Sequence, residues 1–182
     1  MSKSKFSWEF DFRCYLYFAF MLLPCFLIGQ SNNLAESKTI HKFSSSADKD
    51  TFRIKAVGSH LLTANIIFTI SSSSGTLIYS VSFHAIDLIN EGLPKGLGAS
   101  KKDQEKYIVK RIQEFFDEKN FCQPAIKKNE AFDEDYSRKD IWMDIKSDKT
   151  AIGFNYLIGE EDNRKIAYSK KSKKVVLYFN CC

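Results

Sequence analysis

A chain of 182 residues with a formal net charge of +5 is long enough to bury one hydrophobic core and too weakly basic to hold nucleic acid by charge alone. Its 44% apolar and 27% charged residues exclude disorder as the default, and 16 phenylalanines tilt it toward a β-rich architecture.

Residues 1–31 read as an export signal peptide. Lys3, Lys5 and Arg13 precede CYLYFAFMLLPCFLIG, an apolar run from Cys14 to Gly29 that Pro24 interrupts. The run falls short of the roughly 20 residues that a membrane-spanning helix needs. Gly29 and Ser31 supply small residues for cleavage after Ser31, or just before Gln30. The expected location is secreted or periplasmic. Two alternatives stay open. Glu9 and Asp11 weaken the leader, which leaves an uncleaved anchor through residues 14–29. Leu22-Leu23-Pro24-Cys25 superficially matches a lipoprotein box lipidated at Cys25, although Pro24 fits its slot poorly.

Residues 32–50 are polar and serine-rich, and read as a flexible linker. Phe52, Ile54 and Ala56 then alternate with Arg53 and Lys55, the period of a strand with one polar face. NIIFTI (65–70) and TLIYSVSF (76–83) flank SSSSG, which predicts a hairpin. After a breaker-rich loop, 91–100, Ser100 and Asp103 form a helix-start signal. The helix over 101–119 carries Ile108, Ile112, Phe115 and Phe116 on one stripe. Residues 127–140 are charged and irregular. DIWMDIKS, AIGFNYLIG, KIAYS and KVVLYFN return to strand texture, with turns at EEDNR and KKSK. The sum is a single α+β domain over residues 51–182, a curved antiparallel sheet of about six to seven strands with one main amphipathic helix packed on it.

Motifs that carry chemistry fail on geometry. The loop Gly92–Lys101 lacks the G-x-x-x-x-G-K-[ST] spacing of a phosphate loop. Asp133, Asp135, Ser137 and Asp144 mimic a calcium loop, but Arg138 stands where glycine makes its sharp turn. His41, His60 and His84 form no metal-ligand spacing, and no cofactor or metal is expected. His84 and Asp87 would juxtapose imidazole and carboxylate, yet no G-x-S-x-G supplies a nucleophile. Arg164, Lys165, Lys170, Lys171, Lys173 and Lys174 form a candidate anion-binding patch. The favoured reading of the same lysines is that they guard hydrophobic strands against pairing with other chains.

Signal cleavage would leave Cys122, Cys181 and Cys182. An exported chain favours oxidation, so a bond from Cys122 to Cys181 or Cys182 is expected, with a strained Cys181–Cys182 ring or free thiols as alternatives. A terminal Cys-Cys also ends prenylated small GTPases, but that reading needs a cytosolic nucleotide-binding chain.

DKDTFRIK, RIQEFFDEKNF and the run from Thr150 to Cys182 give the chain a texture that resembles uncharacterised small exported proteins of Bacteroidota-type bacteria. The resemblance implies export and assigns no site residue. The expected function is a non-catalytic binding or envelope-associated protein, with an anionic envelope component or another protein as partner and no nucleic acid. The alternatives are a carrier holding an apolar ligand between sheet and helix, and a hydrolase-type enzyme.

Overall fold

The alternation in DTFRIKAV is realised as β2, Asp50–Val57, whose Phe52, Ile54 and Ala56 are fully buried while Arg53 is exposed. The computed structural model of the protein describes residues 32–181. The expected signal, its cleavage site, Cys25 and Cys182 lie outside them. Antiparallel neighbours of β2 are β1, Asn33–His41, and β3, Asn65–Ser71; β4, Leu77–His84, completes a four-stranded meander. The β3–β4 hairpin closes through Ser72–Gly75, and Gly75 takes the left-handed φ of 84° that its turn requires.

The helix α1 spans Lys101–Glu114, with the Ser100 hydroxyl accepting from Asp103 N–H at its start. Beyond it come β5, Phe121–Cys122, and a second helix, α2, Lys139–Ser147. Three strands follow: β6, Gly153–Ile158; β7, Asp162–Ser169; and β8, Lys174–Cys181. With β5 they make a second antiparallel meander in chain order.

Among the described residues the expected single sheet is thus two sheets of four strands, and the one main helix expected is joined by a second. Two segments also differ from expectation. DIWMDIKS is helix α2, because Ile141, Trp142 and Ile145 fall on one side of a 3.6-residue turn. Residues 33–41, expected to be linker, are a strand whose inward side chains are small or polar.

Between the sheets lies an aromatic core. Phe68 of β3 packs with Phe52, Phe115, Phe116, Phe154 and Tyr156 at ring separations of 5.3 to 6.3 Å. Phe52 stacks on Phe68 and the others meet it edge-on or tilted, each ring pair adding about 0.5–1.5 kcal/mol beyond its buried area. Strand β7 is buried on both sides. Ile166 faces the aromatic core, whereas Ala167 joins Trp142, Ile145, Val176 and Tyr178 under α2. The strands β4 and β8 come into contact where the sheets meet.

Candidate functional site

Strand β5 pairs with β6 through only Phe121–Phe154 and Cys122–Gly153. Just before it, residues 118–120 coil into a single 3-10 turn, so no strand continues opposite Asn155–Leu157. The last turn of α1 partly fills this place: the Arg111 guanidinium donates to the Leu157 carbonyl at 3.1 Å. Along an antiparallel strand, alternate residues turn their backbone groups to the same side, so those of Asn155 also face this open edge. The result is a notch of about 280 Å³ lined by Arg111, Glu114, Lys119, Asn120, Asn155 and Asn163, with Tyr156 and Leu157 in its wall.

The charges around the notch are unevenly satisfied. Lys119 sits 3.1 Å from Asp117, and Glu114 is 3.8 Å from Lys110. Arg111 has no carboxylate partner among the described residues. Asn120 is oriented by donating to the Phe115 carbonyl at 3.0 Å, which caps the end of α1. The Asn155 side-chain oxygen is buried with no hydrogen-bond partner. An unsatisfied acceptor of this kind costs about 1–3 kcal/mol, which a ligand donor or a turned amide relieves.

Tyr156 connects the notch to a polar cluster in the core. Its hydroxyl lies 2.6 Å from that of Tyr79 on β4. Arg164, its partner across β6 and β7, forms a two-point ion pair with Asp162 at 2.7 and 2.8 Å. Burial pushes the Tyr156 hydroxyl far above its ordinary range, and the neighbouring Tyr79 adds to this. The Asp162 carboxylate holds the Arg164 guanidinium firmly protonated.

The six cations of the sequence-derived patch do not form one surface. Arg164 is held by Asp162, Lys165 by Glu130 at 3.4 Å with its ammonium over the Phe179 ring, and Lys170 by Asp148 at 2.8 Å. Lys171, Lys173 and Lys174 are exposed around the β7–β8 turn. Strand β7 ends at Ser169, five residues and roughly 16 Å beyond Arg164, before that turn begins.

Cys122 is a free thiol, so the expected bond to Cys181 is not formed. The register explains why. Cys122 lies across from Gly153, in the row of Ala167 and Val176, whereas Cys181 lies across from Asn163. Five residues of β8 separate those rows, roughly 16 Å, and a disulfide needs Cα atoms within about 7 Å. Cys122 instead points at the Gly153 and Ala125 carbonyls, beside the Tyr178 hydroxyl.

The other sequence candidates have structural roles. Asp87 accepts from the His84 backbone N–H at 2.9 Å, capping a 3-10 turn, and the His84 ring is exposed. His41 stacks on Phe121 at 4.0 Å. Asp144 accepts from Ser169, and no group of metal-ligating side chains is found among the described residues. The notch escaped sequence reading because its asparagines are scattered over three elements. No family model, curated protein or solved structure matches the chain.

Proposed function

We propose that the protein is an exported, non-catalytic binding module of the cell envelope, and that the notch at the β6 edge takes an acidic sugar unit. The observation that carries this reading is Arg111, fixed at the notch by a backbone carbonyl and without a carboxylate of its own. A guanidinium so placed retains donors for a two-point contact with a ligand carboxylate. Asn120, Asn155 and Asn163 offer amide donors and acceptors suited to ring hydroxyls. Export itself rests on the leader, residues 1–31.

Two features favour this over the alternatives. An apolar carrier needs room between sheets and helix, but Phe52, Phe68, Phe115, Phe116, Phe154 and Tyr156 occupy that space in mutual contact. A hydrolase built on His84 and Asp87 needs the imidazole and carboxylate together in a cleft, whereas the carboxylate serves the backbone and the ring is exposed.

Calorimetric titration with galacturonate oligosaccharides and with their neutral galactose counterparts tests the reading. Binding of the acidic series alone, weakened about tenfold or more in Arg111→Gln, is expected. Equal binding of both series, or no heat from either, would overturn it.

A further inference from the structure

We infer that the outer face of α1, with the turn preceding it, is a surface that rests on an anionic membrane. The buried side of α1 carries Gln104, Ile108 and Ile112. The opposite side carries Lys102, Lys106 and Lys110, spaced four apart so that their ammonium groups stack along one ridge. Like charges at this spacing oppose helix formation, and only Lys110 is relieved, by Glu114. The acids beside the ridge are Asp103, which accepts from the Ser100 hydroxyl at 2.6 Å, Glu105, and the Glu114 that pairs with Lys110.

An apolar element accompanies the charge. Leu97 is 66% exposed, more than the other large apolar side chains among the described residues. It sits in a 3-10 turn whose leading residues, Lys95 and Gly96, have φ of 69° and 49°. Beside it a groove of about 620 Å³ has Leu93, Pro94, Ala99 and Tyr107 in its wall and Lys95, Lys106 and Lys110 among its cations. A protruding leucine ringed by flexible lysines fits a bilayer surface, where the leucine enters the acyl boundary and the ammonium groups meet phosphates. A folded protein partner would be met by forked, planar donors, and this ridge has point charges instead.

A second groove extends the same surface. The Asn32 carbonyl accepts from Gly58 N–H at 3.2 Å, and Leu61, three residues on from Gly58, lines this groove with Lys102, Lys106 and Lys110.

Hydrogen–deuterium exchange of the full chain in vesicles tests this, because the leader is common to every sample. One set of vesicles is phosphatidylcholine; the other adds phosphatidylglycerol. Peptides covering Leu93–Lys110 are expected to exchange several-fold more slowly in the anionic set, with the difference lost in about 0.5 M salt. Replacing Lys95, Lys102, Lys106 and Lys110 by Gln should abolish the difference while β2 and β3 remain protected as in the wild type. Leu97→Ser should keep a reduced, salt-sensitive difference. Equal exchange in both vesicle sets, or slowing confined to the β7–β8 turn, would overturn the inference.

Discussion

The hydroxyls of Tyr79 and Tyr156 meet at 2.6 Å, one from each sheet, at the edge of a core rich in phenylalanine and isoleucine. Replacing either tyrosine by phenylalanine removes this contact and should cost about 1–2 kcal/mol. The double replacement removes both polar groups together and should cost less than the two singles combined. Urea unfolding of the four proteins measures the coupling.

Alkaline pH should weaken the fold through the same residues. Burial raises the hydroxyl pKa of Tyr79, Tyr156 and Tyr178 in the native protein, and unfolding returns each to about 10. Below pH 10 both states keep these protons and no pH dependence arises. Above it the unfolded state releases them first, so stability falls as pH rises. Phenolate absorbance should therefore show fewer than the chain's 8 tyrosines titrating until the protein unfolds.

Asp148 gives the acid counterpart. Burial favours its neutral form, but Lys170 and Thr150 outweigh that and hold the carboxyl down to about 2. Its contribution is present above the unfolded value near 4 and is lost as pH falls toward 2. Lys170→Met should raise the Asp148 pKa and move the acid midpoint of unfolding upward. Carboxyl NMR titration reads the first effect and circular dichroism the second.

The Cys122 environment makes two predictions. Burial pushes its thiol pKa up, so Cys122 should be alkylated slowly in the native protein at neutral pH and quickly after unfolding, as peptide mapping reads. A methyl added at Gly153 would lie 2.7 Å from the Tyr178 hydroxyl and 2.8 Å from the Cys122 sulfur. Gly153→Ala should thus cost about 1–3 kcal/mol by urea unfolding.

Where one face of an element was apolar, the sequence was readable. The strand through Phe52 and Ile54, the serine-linked hairpin and the helix after Ser100 all stand close to their expected positions. Strand β1 was hidden because its apolar residues Leu34 and Ile40 point outward, and only Ala35 among its inward residues is apolar. Helix α2 was hidden because nine residues show only two turns, too few to separate a helical period from alternation. The division into two sheets follows from long-range register, which local pattern does not encode. The notch was illegible for a related reason: Arg111, Asn120, Asn155 and Asn163 carry no mutual spacing signal and meet only where β5 stops short.

The most direct test of the binding reading follows the side-chain amide resonances of Asn120, Asn155 and Asn163, with the Arg111 guanidinium, during titration with a galacturonate disaccharide. The account predicts saturable shifts confined to this group and absent in Arg111→Gln. Shifts centred instead on Lys171, Lys173 and Lys174, or none at these asparagines, would contradict it.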